Sequence, residues 1–561
     1  MSVCVLRITQ LFTCGLGLFL FTQCSSPSGP RTGSQTHWLR SCDDATDCGE
    51  LSCICGACTL ACDETAACDT LTGASCLPAE GAGATALCSG NPPTQAGLCL
   101  PECSDESCAE GLSCVAGACT PTPISTVTVT IDPLTRHQTL VGFGASLAYT
   151  DDELAAHPEK EALYDVMFGD SGLDVVRMRN RYDGSGDEDL NSTVEILEAA
   201  TERMGETPTT FITTGSPPAE LKANGSSYCS GNPETCTLVQ LDDGSFDYAG
   251  FTAYWRASLE AYQAVGVFPD FVSIQNNPNW VPPASETNEA CRFLPTEGSV
   301  TVTSESGDVE VEYPGYAEAL AQVVNEFATL ANPPQIAAPE TTSLEPLASY
   351  LAELNPSLVD AIGHHLYGTD PLAVSEAELR AASDLSEEYG LPIFQTEMTA
   401  DGLGTAVLMT QTLTVEGVSA YLQDNWTTSA LALDDNSGGL ISLSSDSFEL
   451  QDPFYAMQHF GAYTNPGWVR VDALSDSNSV LSSAWQAPED EGLTVILVNP
   501  SLDDVDLELE IPSDTRDLYP NSRVVRTTFA GVERFTELGE LSEEHVVRVP
   551  GQAVVTVALT P

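Results

Sequence analysis

Two distant segments of the chain carry the polar residues with the clearest chemical potential. Residues 271–280 read Phe-Val-Ser-Ile-Gln-Asn-Asn-Pro-Asn-Trp, and residues 392–398 read Pro-Ile-Phe-Gln-Thr-Glu-Met. Each segment begins with a short run of apolar residues and ends in polar groups, the pattern of a buried parallel strand whose carboxyl-terminal tip faces a site. The carboxylate of Glu397 can act as a nucleophile or as an acid and base. The amide of Asn277 can neither give up nor accept a proton at neutral pH.

The elements around these segments alternate between short apolar runs and helical stretches, from about residue 142 to residue 460. This alternation predicts βαβ units with a parallel sheet, and the number of units favours a closed (β/α)8 TIM barrel over an open sheet. The helix predicted over 375–389 begins with Ser375 and Glu378 at the spacing of a capping box. The prediction also uses strands at 174–178, 210–213 and 361–365 and a helix at 316–330.

The chain on either side of the barrel is predicted to be β-structure. Residues 127–131 alternate with a period of two, and we assign 127–141 to a strand that joins a side β-sandwich. After residue 460, strands follow one another with few helices between them, so 461–561 is predicted to form most of that sandwich. The strands in question are 493–498, 505–511 and 552–559.

The cysteines predict a small disulfide-rich region over 42–119, closed by a Pro/Thr linker over 120–126. Of the 20 cysteines, 14 lie from Cys42 to Cys119, a density typical of disulfide frameworks. Residues 51–58 are echoed by residues 112–119, and the upstream cysteines match as well, which predicts two modules. Metal binding through Cys55 and Cys58 is the competing interpretation, and the absence of His from the region weighs against it.

Three further cysteines lie within the predicted barrel. Cys229 and Cys236 flank a loop with Gly231, Asn232 and Pro233, and we expect them to pair with each other. Cys291 has no evident partner, so we expect a buried free thiol.

The amino terminus resembles a secretory signal. Arg7 precedes a mostly apolar run over 11–21, which is too short to span a bilayer and has the length of a signal-peptide core. We therefore predict a signal peptide over 1–24, a flexible spacer over 25–41, and an extracellular or cell-surface location in a bacterium. Cys24 lies where a lipoprotein would be lipidated and would then anchor the chain in the outer membrane, although Gln23 fits that signal poorly.

The charge of the chain excludes some partners. The formal net charge is −62, from 19 Lys+Arg against 81 Asp+Glu. Such a surface repels nucleic acid and anionic membranes and suits neutral ligands such as glycans. A general adaptation for solubility is the favoured explanation of the charge, which therefore does not identify the ligand, and nothing in the sequence indicates an oligomeric state.

Residues 127–560 resemble the retaining β-glycosidases of glycoside hydrolase family 30. The two segments at 271–280 and 392–398 are similar to the two catalytic strands of that family, which carry Gln-Asn-Glu-Pro and a terminal Thr-Glu. Further similar segments, in the same order, are 138–145, 172–177, 216–219, 365–368, 453–460 and 466–471. Glu220 stands where the family usually has Trp.

The resemblance implies roles for individual residues. Glu397 would be the nucleophile, supported by Arg177 and hydrogen-bonded by Tyr367. Sugar-binding residues would be Asn276, His365, Trp280 and Trp426, with Trp426 stacking on the sugar. The resemblance implies no metal and no organic cofactor.

The chain departs from the family at the residue that should be the general acid, because Asn277 replaces that Glu. A retaining glycosidase needs two carboxyl groups about 5–5.5 Å apart. A displaced carboxylate could substitute, and Glu340 is the main candidate because it ends another predicted strand. Glu286 and Glu289, in the loop after Trp280, are the other candidates.

Two hypotheses of function follow. In the first, the protein is an exported glycosidase that hydrolyses a β-linked glycan, xylan or β-glucan rather than glucosylceramide, with weak activity because of Asn277. In the second, it is a catalytically impaired protein that binds glycan without cutting it. A weaker third hypothesis places the function in the Cys-rich region, which would bind a protein partner.

Overall fold

A computed structural model of the chain describes most residues after 124. The described residues are 38–39, 48, 51–54, 57–63, 68–69, 71, 73–78, 97–103, 108, 112–115, 118–121, 125–184, 190–304, 307–429 and 439–561. The predicted signal peptide, its Cys24 and nearly all of the spacer lie outside them. The chain forms two compact units, Met1–Ile124 and Ser125–Pro561. The domain limits drawn from the sequence stay a prediction.

The first unit consists of short antiparallel strands held by disulfides. Its strands are β1 (Ser52–Ile54), β2 (Ala57–Thr59), β3 (Ala61–Cys62), β4 (Ser75–Pro78), β5 (Gly97–Leu100), β6 (Leu112–Val115) and β7 (Ala118–Pro121). The disulfides with both partners described are Cys48–Cys58, Cys62–Cys76, Cys68–Cys99, Cys103–Cys114 and Cys108–Cys119. The predicted disulfide framework is therefore confirmed.

The internal repeat is visible in this unit as two equivalent hairpins. In β1–β2, Cys53 lies opposite Cys58, and in β6–β7, Cys114 lies opposite Cys119. The disulfide Cys48–Cys58 corresponds to Cys108–Cys119. The competing metal interpretation loses Cys58 as a ligand, since that sulfur is bonded to Cys48; Cys55 lies outside the described residues.

The second unit contains the remaining strands and all the longer helices of the described chain. The strands are β8 (Ser125–Thr139), β9 (Gly142–Ser146), β10 (Val175–Arg179), β11 (Thr209–Thr213), β12 (Tyr228–Cys229), β13 (Phe271–Ser273), β14 (Asn288–Glu289), β15 (Gly298–Ser304), β16 (Gly307–Tyr313), β17 (Gln335–Thr341), β18 (Ala361–His365), β19 (Ile393–Glu397), β20 (Ala420–Gln423), β21 (Thr427–Ser429), β22 (Ile441–Leu443), β23 (Phe448–Leu450), β24 (Val469–Ser475), β25 (Leu481–Gln486), β26 (Leu493–Asn499), β27 (Val505–Glu510), β28 (Asn521–Thr528), β29 (Thr536–Gly539), β30 (Val546–Val549) and β31 (Ala553–Thr560).

The α-helices lie mainly between the barrel strands. They are α1 (Asp151–Ala156), α2 (Lys160–Tyr164), α3 (Asn191–Met204), α4 (Tyr248–Ala264), α5 (Tyr316–Phe327), α6 (Leu347–Leu351), α7 (Glu376–Tyr389), α8 (Gly402–Gln411), α9 (Asp452–Gly461) and α10 (Ser513–Leu518). The predicted capping of α7 is present: the Ser375 side chain accepts from the Glu378 N–H, and the helix ends at Gly390, whose φ of 66° suits glycine.

Eight parallel strands close into a barrel, which confirms the predicted (β/α)8 architecture. Around the barrel the order is β9, β10, β11, β13, β17, β18, β19 and β20. Strand β18 and strand β19 are buried along their whole length, as expected for strands covered on both faces. All eight strands point the same way, so their carboxyl ends meet at one face, where sites of this fold are built.

A nine-stranded, mostly antiparallel sheet forms the predicted sandwich. Its order is β29, β28, β31, β26, β25, β24, β8, β27 and β30. The edge strand β30 also contacts β26 and β31, so the sheet folds over its own apolar core, which includes Val129, Leu497 and Val555. Strand β8 pairs with β24 and β27 within this sheet and leads directly into β9.

The loop after β12 has the disulfide that the sequence predicted, Cys229–Cys236. Among the described cysteines, Cys291 is free and buried, which confirms the buried free thiol expected from the sequence. In the part of the chain that the structure describes, we find no helix with the length and apolar character needed to cross a bilayer.

Asp174 is a buried carboxyl at the amino-terminal end of β10. Its backbone N–H donates to the Phe143 carbonyl over 2.8 Å, but its Oδ2 atom has no hydrogen-bond partner among the described residues. Burial, assisted by the charge of Glu206, raises the pKa of Asp174 from 3.8 to about 8. A carboxyl whose pKa is higher in the folded chain than in the unfolded chain destabilises the fold as the pH rises between those two values.

We expect the substitution Asp174→Asn to weaken this pH dependence. The native protein should lose stability between pH 5 and pH 8, and the variant should lose roughly 3–4 kcal/mol less, because it has no carboxyl group to ionise at this position and each unit of pKa shift corresponds to about 1.4 kcal/mol. Urea unfolding at the two pH values measures the difference. Asp170→Asn, at an exposed carboxyl, is the matched control. Equal losses in the native protein and Asp174→Asn would contradict the prediction.

Candidate functional site

A cavity of about 610 Å³ opens at the carboxyl-terminal face of the barrel. Its walls come from strand ends and from the loops that follow them. The lining residues include Ser146, Tyr149, Arg177, Arg179, Asn276, Asn277, Trp280, Glu286, Glu289, Tyr367, Glu397, Asp424 and Asn425. The two segments singled out in the sequence therefore meet here, because both β13 and β19 end at this face.

Arg177, on β10, is the cation at the floor of the cavity and is only 2% exposed. Its Nη1 donates to Glu397 Oε2 over 2.8 Å. Its Nη2 donates to Asn276 Oδ1 over 2.9 Å and to Glu340 Oε1 over 3.1 Å. The guanidinium thus joins residues that follow or end three other barrel strands, and the hydrogen bond predicted between Arg177 and Glu397 is present.

Glu340 lies at the end of β17 in an unusual backbone conformation, with a φ of 62°. A left-handed conformation is costly for a residue with a long side chain, and it is held here by the carboxylate contacts: Thr213 Oγ1 donates to Glu340 Oε2 over 2.7 Å, and Arg177 binds the other oxygen. Burial opposes ionisation, but the charge of Arg177, with smaller contributions from His365 and Thr213, lowers the pKa of Glu340 to about 2.

Glu340 is therefore the wrong residue for the substitute acid that the sequence suggested. Its side chain is fully buried, so it does not reach a leaving group in the cavity. It is also ionised at neutral pH, since its pKa of about 2 lies far below 7. Its position instead makes it the second anionic partner of Arg177.

Glu397 ends β19 and faces the cavity. The register against β18 shifts at Thr396, so that His365 lies opposite Glu397, and such a bulge redirects the side chains that follow it. Tyr367 donates from its hydroxyl to Glu397 Oε1 over 2.8 Å, as predicted. Burial opposes ionisation, but His365, Arg177 and the Tyr367 hydroxyl together lower the pKa of Glu397.

His365 does not have the predicted sugar-binding position. Its ring is fully buried between two carboxylates, with Nε2 at 3.6 Å from Glu340 Oε1 and Nδ1 at 3.7 Å from Glu397 Oε1. The ring therefore packs beneath the cavity floor, and a sugar hydroxyl in the cavity would meet Glu397 before it met His365.

Asn276 and Asn277 follow β13 and are fixed through their backbones. The Asn276 N–H donates to the Thr214 carbonyl over 2.8 Å, and the Asn277 N–H donates to the Glu340 carbonyl over 3.2 Å. Asn277 has a φ of 51°, which asparagine tolerates better than most residues. The Asn277 side chain lines the cavity, and its buried Oδ1 has no hydrogen-bond partner among the described residues.

Glu289 and Glu286, the other candidates for the missing acid, lie at the rim. Both oxygens of Glu289 accept from the Arg179 guanidinium, one of them over 2.9 Å from Nε, and Tyr149 also donates to Glu289 over 3.2 Å. Arg179 in turn lies 4.7 Å from the centre of the Tyr149 ring. Glu286 is exposed and accepts from the Asn288 side chain.

Asp424 is a cavity carboxyl that the sequence interpretation missed. It follows β20 directly, and its Oδ2 accepts from the Thr399 hydroxyl over 3.3 Å. Burial and the negative charge of Glu397 raise the pKa of Asp424 to about 7, against the opposing effects of Arg177 and Thr399. The sequence contains a signal for Asp424, because this residue comes immediately after an apolar strand, but the family resemblance assigns the role at this strand end to Trp426.

Trp426 is not the predicted stacking surface. It is completely buried, and its ring packs edge-on against Phe168, with the ring centres 5.7 Å apart. The strand end turns this side chain into the core, whereas Asp424 and Asn425, just before it, line the cavity. Trp280, the other predicted aromatic, does line the cavity.

Comparison with known proteins identifies the architecture. No family model and no curated protein matches the sequence. Among solved structures, the chain is similar to a glycoside hydrolase family 30 subfamily 8 xylanase from Clostridium acetobutylicum, with 20% identity, a TM-score of 0.58, and coverage of 77% of this chain and 100% of that chain. The fold is that of family 30 glycoside hydrolases.

Two further structures support the same fold. The catalytic domain of the family 30 xylanase C from Talaromyces cellulolyticus has 18% identity and a TM-score of 0.57, covering 77% of this chain and 100% of its own. An endo-β1,6-glucanase has 15% identity and a TM-score of 0.54, covering 79% of this chain and 96% of its own. At these identities the likeness establishes the fold, and the chemistry has to be argued from the cavity itself.

We expect Arg177→Met to destabilise the protein by about 3–5 kcal/mol at neutral pH, since it leaves two buried carboxylates without their shared cation. Because Arg177 lowers the pKa of Glu340 from 4.5 to about 2, this stabilisation is present above the higher value and is lost as the pH falls toward the lower one. The difference in the free energy of unfolding between the native protein and the variant should therefore become smaller as the pH falls.

Urea unfolding at pH 7 and pH 3 measures this difference. The matched control is Arg380→Met, which breaks an exposed ion pair with Glu376 and should cost less than about 1 kcal/mol. A deficit for Arg177→Met no larger than that of the control would contradict the central role of Arg177.

Proposed function

We propose that this protein is a glycoside hydrolase of family 30 type that cleaves a β-linked glycan with retention of configuration, with Glu397 as the nucleophile. The observation that carries the proposal is the setting of Glu397. Its carboxylate lines the cavity and is held as an anion by Arg177 Nη1 and the Tyr367 hydroxyl, both at 2.8 Å. A nucleophilic carboxylate needs this combination of ionisation, fixed direction and access to substrate.

The fold supports a glycan as the substrate. Solved structures with a similar fold include xylanases and an endo-β1,6-glucanase, and we propose xylan or β-glucan as the substrate class. Trp280 and Tyr149 add aromatic surface at the cavity wall, and aromatic faces are suited to the apolar faces of sugar rings.

Export fits this proposal. The disulfides of both units are typical of oxidising compartments, where polysaccharide is encountered. We retain the predicted signal peptide and the lipid anchor at Cys24 as parts of the proposal, with the protein secreted or attached to the bacterial surface.

Binding without cleavage is the alternative function, and Asn277 favours it. This residue occupies the position of the general acid in the family resemblance, and its amide donates no proton to a leaving group. Loss of general acid catalysis costs about 10²–10⁴-fold in rate. A protein with such a loss would cut a bound glycan more slowly by that factor, so that binding would be its main activity.

Covalent labelling tests the nucleophile without needing an acid. A 2,4-dinitrophenyl 2-deoxy-2-fluoro-β-glycoside of xylose or glucose has a leaving group that departs unprotonated, so Glu397 should form a stable adduct. Mass spectrometry of peptides should place one sugar on Glu397, and Glu397→Gln should remain unlabelled. Glu353→Gln, at an exposed carboxyl, should label like the native protein. An adduct on another carboxylate, or none, would refute the proposal.

Incubation with glucuronoxylan and with β-1,6-glucan separates hydrolysis from binding. We expect the native protein to release sugar from one of them, and NMR of the first product should show the β-anomer, because two displacements retain configuration. Asn277→Glu is the matched comparison. Product from the variant alone, with intact binding by the native protein, would support the alternative function.

A further inference from the structure

Asp424 and Glu397 occupy neighbouring strand ends in one cavity. Strand β20, which precedes Asp424, pairs in parallel with β19, which ends in Glu397. The Asp424 N–H donates to the Met398 carbonyl over 2.9 Å, so the backbone of Asp424 is fixed beside the residue that follows Glu397. Both carboxyl groups line the cavity.

This placement suits a pair of catalytic carboxyl groups. Neighbouring strands lie about 4.7–4.9 Å apart, and a retaining mechanism needs carboxyl groups separated by about 5–5.5 Å. Carboxyl groups at adjacent strand ends that both line one cavity can therefore lie at a separation of this order. Thr399 holds one oxygen of Asp424 at 3.3 Å, which orients the carboxyl group.

The other acidic residues around the cavity are less suited to give a proton. Glu340 is fully buried and bound to Arg177. Both oxygens of Glu289 accept hydrogen bonds from Arg179, an arrangement that uses the carboxylate form. Glu286 lies on the exposed rim.

We propose that Asp424 is the general acid and base of this site, replacing the function that Asn277 lacks. This inference rests on the proposed function. In the first step, a Glu397 oxygen bonds to the anomeric carbon, the bond from that carbon to the leaving oxygen breaks, and the Asp424 proton moves to the leaving oxygen. In the second step, water gives its proton to Asp424 and attacks the anomeric carbon, and the bond to Glu397 breaks.

The electrostatics agree with this division of roles. The groups that face Asp424 are Glu397 on β19, Arg177 on β10 and Tyr367 after β18; the other neighbouring strand, β9, contains no titratable residue. The environment lowers the pKa of Glu397 and raises the pKa of Asp424 to about 7. A nucleophile and a general acid in one site need pKa values that their surroundings separate in this direction.

The test compares leaving groups in Asp424→Asn and the native protein. On phenyl β-glycosides, whose leaving group needs a proton, the variant should lose about 10²–10⁴-fold in kcat/KM. On 2,4-dinitrophenyl β-glycosides, which need none, kcat/KM should fall less than about tenfold. Azide should accelerate turnover of the dinitrophenyl substrate by the variant and yield a β-glycosyl azide, because azide attacks the Glu397 intermediate without a base. Asp517→Asn, at an exposed carboxyl, is the control.

A pH profile of the native protein gives a second readout that does not depend on the variant's folding. On phenyl β-glycosides, kcat/KM should fall above about pH 7, as Asp424 loses its proton, and Asp424→Asn should lack this limb. Equal losses on both leaving groups, or a flat profile to pH 9, would overturn the assignment of Asp424. Failure of the proposed function is distinguishable, because the native protein would then form no Glu397 adduct with the dinitrophenyl fluoroglycoside.

Discussion

The ion cluster around Arg177 is the constraint on which the rest of the site depends. A guanidinium that is almost fully buried is tolerable only when anions compensate its charge, and Glu340 and Glu397 supply them. These residues come from three different barrel strands, so the cluster fixes how β10, β17 and β19 end relative to one another. The left-handed backbone conformation of Glu340 costs free energy locally, and the contacts within the cluster offset that cost.

The same cluster also affects which carboxyl groups of the cavity are protonated. Glu397 remains an anion because Arg177 and Tyr367 bind it, and its negative charge then favours the protonated form of any neighbouring carboxyl. Asp424 is that neighbour. The difference between the pKa values of the two carboxyl groups therefore has several causes: burial and the charge of Glu397 raise the pKa of Asp424, whereas His365, Arg177 and Tyr367 lower the pKa of Glu397. It requires no particular residue at position 277.

The sequence was a good guide to features that depend on residue type and local pattern. Buried strands and capped helices predicted the barrel, and the family resemblance pointed to Arg177, Tyr367 and Glu397, which lie at or near strand ends. The sequence was a poor guide where the role of a residue depends on the direction in which its side chain points. Glu340, His365 and Trp426 also lie near strand ends, but their side chains are fully buried and do not line the cavity. No sequence spacing distinguishes Asp424, which faces the cavity, from Trp426, which does not.

The charge balance of the cavity also bears on what it binds. Both arginines of the cavity wall, Arg177 and Arg179, are occupied by carboxylates, so neither offers its full charge to a ligand. Glu286 adds a further acidic side chain at the rim, within a chain whose net charge is −62. An anionic sugar would meet repulsion both on approach and in the cavity. A neutral sugar avoids this cost and can use its hydroxyl groups as donors to the carboxylates, so neutral regions of a polysaccharide are the better fit.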